Sequence, residues 1–284
     1  MNLQPVKKHE NVTIILAPFD QYSALPDAAE SILRETRPPF ELVIIEGNAP
    51  GFVRVKLEKL KKHHKNIRII YTAHCPTLAQ AFNLGRPHVR TAHAFFTHNN
   101  VRMTPQWLEG LLRHAKEKPG VVCPYVAHHD NPAREKELPE VCLHGFLISK
   151  EALDKAGPLD EETAAPLLGL ELGLRLKKHG IVIHRDPLTV LLYEPAGVSK
   201  SFDIKFFQHQ WNENALHTSI LHLRKKWALR LQESKYHDWL QQKKRRSSKN
   251  RATVAGALAG HGFSLRLDVP KISFRKFLQV LNRA

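Results

Sequence analysis

The chain has 284 residues, of which 42% are hydrophobic and 8% aromatic, a composition typical of a globular protein with one large domain or one domain and an appendage. Residues 1–11 are polar and no run approaches the roughly 18 apolar residues of a membrane helix, so we expect neither a signal peptide nor a membrane span. The net charge of +16 favours anionic partners, and three cysteines far apart in sequence argue against a disulfide framework or zinc knuckle and favour a cytoplasmic protein.

Apolar runs of strand length alternate with segments of helical periodicity in the first half of the chain. The predicted strands cover 12–17, 40–45, 67–71, 94–97 and 121–123, and the predicted helices between them cover 24–33, 53–62, 77–84 and 105–116. Strands that are apolar throughout and alternate with helices indicate a parallel sheet covered on both faces.

Polar residues follow four of these strands. Ligands of such sheets bind beyond the carboxyl ends of the strands, so we expect these residues to form one site. They are Pro18–Asp20, Glu46–Asn48, Tyr71–His74 and His98–Asn100.

The second half contains shorter elements. We predict strands at 143–148, 181–183 and 188–193, and helices at 151–156, 167–178 and 202–231, the last being one helix or two. From Gln232 the pattern weakens, and the basic run at 243–249 has the composition of a flexible segment. We therefore expect a main domain at 1–230 and a basic, partly flexible extension at 231–284, in which 272–281 forms a docking helix.

Several motifs follow one another in the order found in family 2 glycosyltransferases, and the chain resembles that family over roughly residues 11 to 230. The segments that carry the resemblance are the first strand and its turn (12–18), the second strand and its acidic turn (39–50), an A-x-N-x-G helix (79–85), the metal-motif segment (96–112), the strand at 147–150, the G-x-F/L-D-E turn (157–161) and the helix at 170–180. The resemblance implies a GT-A fold, an α/β Rossmann-like architecture with a mostly parallel central sheet.

The resemblance also implies an inverting transfer of a sugar from a nucleotide-sugar donor to a glycan or lipid acceptor. The leaving diphosphate gains negative charge that a divalent cation usually neutralises, and the acceptor hydroxyl loses a proton to a carboxylate. By the same resemblance, the nucleotide-sugar is bound by Pro18, Asp20, Glu46, Asn83, His98, Asn99 and Asn100.

The metal motif departs from the family. His98 and Asn100 stand where the family has two aspartates, and Mg²⁺ and Mn²⁺ prefer anionic oxygen ligands. Two interpretations remain open. Either His98 and Asn100 hold a weakly bound Mn²⁺ or Mg²⁺, or the site binds no metal and Arg86, Arg90 or Arg102 neutralises the diphosphate.

The catalytic base departs as well. Leu168 and Gly169 occupy the positions of the usual acidic pair. Glu171 and Asp160 are the candidate catalytic carboxylates, and Glu161 and Glu162 next to Asp160 are alternatives, although a turn and a helix that are rich in acids would contain them equally well.

Most of the positive charge lies in residues 201–284, which hold 17 Lys/Arg and 5 Asp/Glu for a net +12 and leave +4 for residues 1–200. Three functions remain open. The first is a glycosyltransferase, peripheral at an anionic membrane through this basic region. The second is a catalytically impaired homologue that binds a nucleotide, a glycan or a partner protein. The third is a nucleic-acid-binding protein, which is less favoured because no RNA-binding or helix-turn-helix signature occurs.

Overall fold

A computed structural model describes residues 12–127, 138–194, 201–211, 213–230 and 240–241. Apart from 240–241, the predicted C-terminal extension at 231–284 lies outside the described residues, as do its basic run at 243–249 and its docking helix at 272–281. The boundary that we predict at residue 230 therefore stays a prediction.

The described strands form one 8-stranded sheet in the order β3-β2-β1-β4-β7-β6-β8-β5. In chain order they are β1 (Val12–Ala17), β2 (Phe40–Ile45), β3 (Ile67–Ile70), β4 (His93–His98), β5 (Val101–Arg102), β6 (Val121–Ala127), β7 (Gly145–Ser149) and β8 (Ile183–Tyr193). Every residue of β1 is buried, as its uninterrupted apolar run predicts for a strand covered on both faces.

Only part of this sheet is parallel. β1, β2, β3 and β4 pair in parallel, as do β6 and β8. By contrast, β7 runs antiparallel to both β4 and β6, and β5 runs antiparallel to β8. The sheet is thus mostly parallel, as expected, and the antiparallel pairs involve β7 and β5, whose direction an apolar run does not reveal.

The described helices connect and pack against these strands. They are α1 (Leu25–Glu35), α2 (Gly51–His63), α3 (Leu78–Gly85), α4 (Trp107–Glu117), α5 (Lys150–Ala156), α6 (Ala165–Lys178), α7 (Ser201–Gln210) and α8 (Glu213–Trp227), with a 3₁₀ turn at Arg86–His88. Among the helices of the described ranges, none is long and apolar enough to cross a membrane.

Two boundaries differ from the sequence-based prediction. α4 begins at Trp107 rather than at Pro105, because Gln106 before it has a left-handed backbone with φ 62°. The two strands predicted at 181–193 form the single strand β8, whose pairing with β6 shifts register at Pro124/Tyr125. Of the one or two helices expected at 202–231, the structure has two, α7 and α8.

Helix α6 lies between two hydrophobic clusters. Its residues Leu168 and Leu172 belong to the main core, whereas Leu167 and Leu170 pack with Leu216 and the other buried residues of α8. The segment 139–141 crosses α6 at Gly169 and Gly173, where added Cβ atoms would lie 2.4 Å from the Val141 oxygen and 1.4 Å from the Pro139 oxygen. Glycine is therefore required at both positions for this close approach.

Gly173→Ala should destabilise the protein by at least about 3 kcal/mol, because backbone and not a flexible side chain fills the space for its methyl group. Urea denaturation measures this loss. Gly51→Ala is the matched control, since its Cβ would meet nothing within 4 Å and its free energy of unfolding should be unchanged or slightly higher. Equal stability of the two variants would contradict the close crossing at α6.

Candidate functional site

The turn after β1 is held by side chains from the end of β4. Asn99 Oδ1 accepts a hydrogen bond from the Phe19 amide at 2.6 Å, and Asn99 Nδ2 donates to the Gln21 carbonyl. Asn100 Nδ2 donates to Asp20 Oδ2 at 2.8 Å. Asn99 and Asn100 are fully buried, so these bonds form away from water. The structure thus brings together the first and fourth of the four predicted strand ends.

The end of β2 joins the same cluster at Gly47. Its φ of +74° is left-handed, and an added Cβ would lie 3.1 Å from Pro18 Cγ, 3.1 Å from Tyr22 Cε1 and 3.2 Å from Pro76 Cδ. The Tyr22 hydroxyl donates to the Gly47 carbonyl. The turn after β1, the end of β2 and the loop before α3 therefore meet at one point.

Asp20 is the buried carboxyl group of this cluster. It is 1% exposed, and its backbone has a left-handed φ of 62°, which is unusual for a residue other than glycine. Its Oδ1 accepts a hydrogen bond from Trp211 Nε1 at 2.5 Å. Burial raises the pKa of Asp20 from 3.8 to about 7, and the hydrogen bonds from Trp211 and Asn100 offset only part of the rise. A carboxyl group that titrates near neutrality in a strained turn is typical of functional sites.

His98 pairs with His144, a residue that the sequence analysis did not select. His98 Nε2 lies 2.7 Å from His144 Nδ1, and His98 Nδ1 accepts a hydrogen bond from the Asn100 amide at 3.3 Å. The accepting Nδ1 assigns the proton to His98 Nε2. The pair forms because Thr97 lies opposite Gly145 in the antiparallel β4–β7 register. No sequence signal links these two histidines.

The donor set of the strand ends does not fit a divalent metal. Both ring nitrogens of His98 are engaged, and the Asp20 carboxyl group is bound by Trp211 and Asn100. The Asn100 Oδ1 atom finds no hydrogen-bond partner among the described residues, which leaves one neutral oxygen where Mg²⁺ or Mn²⁺ needs several anionic ones. Within the described ranges, no group of three or more His, Cys, Asp or Glu side chains could hold a metal ion.

Glu46 is also buried, and its carboxylate forms hydrogen bonds within the turn that follows β2. Its oxygens accept from the amides of Asn48 at 3.0 Å and Ala49 at 2.8 Å. Arg54 of α2 forms an ion pair with it at 3.1 Å. Glu46 therefore holds the turn and the start of α2, and a direct contact with a nucleoside stays a prediction.

Asn83 holds the turn before α6. Its amide donates to the Leu159 carbonyl and the Glu161 carboxylate, and its Oδ1 accepts from the Leu159 amide at 2.7 Å. Both ends of the side-chain amide are thus used within the protein, and a role for Asn83 in donor binding stays a prediction.

The three candidate arginines lie in different places. Arg86 and Arg90 lie at the opposite end of the sheet, since Arg86 contacts Leu153 and Asp154 and Arg90 precedes the first residue of β4. Arg102 lies at the site, where its Nη1 donates to the Asn99 carbonyl at 2.8 Å and its Nη2 forms an ion pair with Glu194 at 2.9 Å. Of the three, Arg102 alone has a position that suits a diphosphate at the strand ends.

The two candidate catalytic carboxylates share one lysine. Lys226 of α8 lies 2.6 Å from Asp160 Oδ2 and 2.9 Å from Glu171 Oε1, and Arg175 forms a further ion pair with Glu171. Burial alone would raise the pKa of Asp160, but hydrogen bonds from Lys226, His222 and the Glu162 amide outweigh burial and lower it to about 2. Such a carboxylate is a poor proton acceptor near neutrality.

The usual positions of the catalytic acids are closed sterically. Leu168 is fully buried in the main core. Gly169 lies under the 139–141 segment, where its carbonyl accepts from the Val141 amide at 3.0 Å and a Cβ would meet the Val141 oxygen at 2.4 Å. An acidic side chain at residue 169 would therefore require that segment to move.

Helix α7 and Trp211 after it cover the strand ends. Asp203 accepts hydrogen bonds from the turn after β1, Gln210 donates to the Pro76 carbonyl at 2.9 Å, and Phe206 stacks on Tyr22 at 4.2 Å. Beneath this cover, a group of strand-end side chains is at most 1% exposed: Asp20, Glu46, His98, Asn99 and Asn100. The aromatic residues of 202–211 predicted a helix but not the surface on which it packs.

Comparison with known proteins relates this geometry to glycosyltransferases. The model of Glycosyl transferase family 2 matches residues 13–159, just over half of the 284-residue chain. Comparison with curated protein sequences finds no match.

Two solved structures have similar folds. One is a mannosyltransferase from Pyrobaculum calidifontis in complex with GDP-Man and Mn²⁺, at 13% identity and a TM-score of 0.61 over 96% of this chain and 80% of that chain. The other is GalNAc-T7 with UDP, GalNAc and Mn²⁺, at 11% identity and a TM-score of 0.56 over 84% of this chain and 55% of that chain. The expected GT-A fold is confirmed.

Asp20→Asn should stabilise the protein at alkaline pH. Asp20 has a pKa of about 7 in the native protein and of 3.8 in the unfolded chain. The free energy of unfolding that protonated Asp20 contributes is therefore fully present below pH 3.8 and is lost as the pH rises through 7. Asparagine does not titrate. The gain over wild type should therefore be larger at pH 8 than at pH 5, by roughly 2 kcal/mol.

Urea denaturation at both pH values checks this expectation. Asp27→Asn, at an exposed position of α1, is the control and should show no such pH dependence. A gain that is the same at pH 5 and pH 8 would mean that Asp20 is ionised throughout.

Proposed function

Because the chain belongs to glycosyl transferase family 2, we propose that it binds a nucleotide-sugar donor at the carboxyl ends of β1, β2 and β4 and transfers the sugar to a glycan or lipid acceptor with inversion. The observation that carries the proposal is the cluster of Asp20, Asn99, Asn100 and His98 at this end of the parallel strands, where ligands of such sheets bind. We assign the nucleoside to the side of Pro18, Asp20 and Glu46.

The donor site that we propose does not depend on a metal. His98 and Asn100 supply too little negative charge for Mg²⁺ or Mn²⁺, and Arg102 lies beside Asn99, where its guanidinium can oppose the charge of a diphosphate. Arg102 already has carbonyl and carboxylate partners, so it is held in place before the donor binds. A fixed cation in a protected site stabilises a leaving diphosphate without reorganisation.

A second candidate function is nucleotide or glycan binding without transfer. It is favoured by the ion pairs of Asp160 and Glu171 with Lys226, because neither carboxylate is then available to take a proton from an acceptor. The carbonyl contact at Gly169 supports the same candidate, since it leaves no space for an acidic side chain at that position.

We also propose an anionic membrane surface as a partner, and the described residues that support it lie on α2. One face carries Val55, which is 69% exposed, followed by the exposed Lys59 and Lys62 at helical spacing, whereas Phe52, 43% exposed, contacts the Phe202 ring at 5.2 Å between ring centroids. Lys56 lies beside this stripe. Exposed apolar residues next to lysines fit the headgroup region of an anionic bilayer. The basic C-terminal region that we also predict to bind such a surface lies outside the described residues.

Calorimetric titration of UDP, GDP and their sugar conjugates, with and without Mn²⁺, tests the proposed donor site. We expect one of the nucleotides to bind with an affinity that Mn²⁺ and EDTA change less than about threefold, because the strand ends lack the acidic ligands. Binding that requires Mn²⁺ would contradict the metal-independent site, and failure to bind any nucleotide would overturn the proposal.

Turnover separates the two candidate functions. Release of free sugar or of glycosylated acceptor from the donor that binds would support transfer, whereas tight binding with no turnover would support the second candidate. Arg102→Gln should weaken diphosphate binding by roughly tenfold or more and leave nucleoside binding nearly unchanged, because it removes the positive charge.

Sedimentation with phosphatidylserine vesicles tests the α2 surface. Changing Lys56, Lys59 and Lys62 to glutamate should abolish most binding, because each lysine near an anionic surface is worth about 1 kcal/mol. The same change at the exposed Lys118, Lys177 and Lys178 is the matched control and should have a smaller effect. Equal loss in both triple variants would indicate an effect of net charge alone, and binding of nucleic acid but not of vesicles would favour the third function.

A further inference from the structure

We propose that α7 is an intramolecular competitor of the donor nucleotide: the helix occupies the nucleotide surface of the strand ends and has to leave before a nucleotide binds there. The inference rests on the proposed function, because it concerns access to the same site. It adds a closed state, in which the protein's own helix occupies the donor surface.

Asp203 is the residue that holds the start of α7 in place. Its Oδ1 accepts from the amides of Tyr22 at 2.7 Å and Ser23 at 3.2 Å, and its Oδ2 accepts from the Ser23 hydroxyl at 2.6 Å. These donors lie in the turn between β1 and α1. Asp203 is 1% exposed, so the three bonds compensate a carboxylate that has lost its water.

The donors that Asp203 uses are suited to an anionic ligand. Backbone amides in a strand-to-helix turn, followed by the N-terminus of an eleven-residue helix, attract phosphate and carboxylate groups alike. In this structure the Asp203 carboxylate is the anion that they hold. The carbonyl or hydroxyl oxygens of a nucleoside at this turn would compete with it for the Tyr22 and Ser23 amides.

The other end of α7 is held on the same surface. Trp211 Nε1 donates to Asp20 and Gln210 Nε2 donates to the Pro76 carbonyl, so the contacts reach from the turn after β1 to the loop before α3. Between the two ends, Phe206 stacks on Tyr22 at 4.2 Å, and Phe206 is 3% exposed. Trp211 also lies 5.9 Å from Phe19, ring centroid to ring centroid.

These contacts identify α7 as a competitor and not as one wall of an open site. The polar groups that a nucleotide would meet, namely the Tyr22 and Ser23 amides and the Asp20 carboxyl group, already bind atoms of α7 or Trp211. The strand-end side chains are buried. A ligand can therefore bind the Tyr22 and Ser23 amides and the Asp20 carboxyl group only when α7 moves, and its apparent Kd equals the intrinsic Kd divided by the fraction of molecules in which α7 is displaced.

Weakening the contact of Asp203 should strengthen nucleotide binding. Asp203→Asn keeps the size of the side chain but removes the charge that two amides and one hydroxyl share, so the open fraction rises. We expect the Kd of UDP or GDP, whichever binds the wild type, to fall by about tenfold. Asp154→Asn is the matched control, because Asp154 is an exposed residue of α5 that pairs with Lys150, and its Kd should equal that of the wild type.

Hydrogen exchange supplies a second measurement that does not depend on a variant. Saturating nucleotide should speed amide exchange in 203–210 of the wild-type protein, because the bound state requires α7 to leave. Phe206→Ala removes the stacking contact with Tyr22 and should strengthen nucleotide binding as Asp203→Asn does. With two variants, the test still works if one of them fails to fold. Thermal melting of each variant verifies that it is folded.

The outcomes separate the two proposals. Suppose that the wild type binds a nucleotide, that Asp203→Asn and Phe206→Ala leave this binding unchanged or weaken it, and that the nucleotide slows exchange in 203–210. Those results would show that α7 lines the site and would overturn the competition. If neither the wild type nor either folded variant binds UDP or GDP, the proposed function itself fails. Tighter binding by both variants with faster exchange in α7 supports the competition.

Discussion

The hydrogen bonds between the end of β4 and the turn after β1 are the interaction on which the rest of this site depends. Asn99 holds the backbone of Phe19 and Gln21, and Asn100 holds the Asp20 carboxyl group, all without access to water. Buried polar groups are costly unless they are paired, so these bonds set the path of the turn tightly. This turn also positions the Tyr22 hydroxyl to donate to the Gly47 carbonyl, and the Tyr22 amide donates to Asp203.

His98 and Asn100, at the positions where the resemblance to the family implies two aspartates, hold this end of the sheet through direct contacts. Two carboxylates in so dry a place would repel each other without a cation between them. Histidine and asparagine bind neighbouring groups directly, as the His98–His144 and Asn100–Asp20 contacts do. Of the two acids at the strand ends, Glu46 forms an ion pair with Arg54, whereas burial raises the pKa of Asp20 to about 7.

The acids of the second half have become structural. Lys226 joins Asp160 in the turn before α6 to Glu171 within α6, and His222 adds a contact to Asp160 at 2.7 Å. These ion pairs connect α8 to α6 across the smaller hydrophobic cluster. Glu171 is fully buried, so removing Lys226 or Arg175 would leave its charge less compensated, and the arrangement opposes any movement that would free Glu171 as a base. Asp160 and Glu171 are thus paired with cationic side chains in this structure, and His98 and Asn100 with neighbouring polar groups.

The sequence by itself determined the positions of the strands of the first half, because uninterrupted apolar runs such as 12–17 can only be buried. It also determined which residues follow those strands, and hence that Asp20, Glu46, His98 and Asn100 lie at one end of the sheet. Tertiary structure alone decided what those residues bind. The reversed direction of β7 sets His144 against His98, and a helix 191 positions further along the chain brings Trp211 to Asp20. Glu171 meets Lys226 through the packing of α6 on α8, over a separation of 55 residues. Periodicity reports whether a side chain faces the core, but the partner of a buried polar group depends on strand direction and helix packing, which local sequence does not encode.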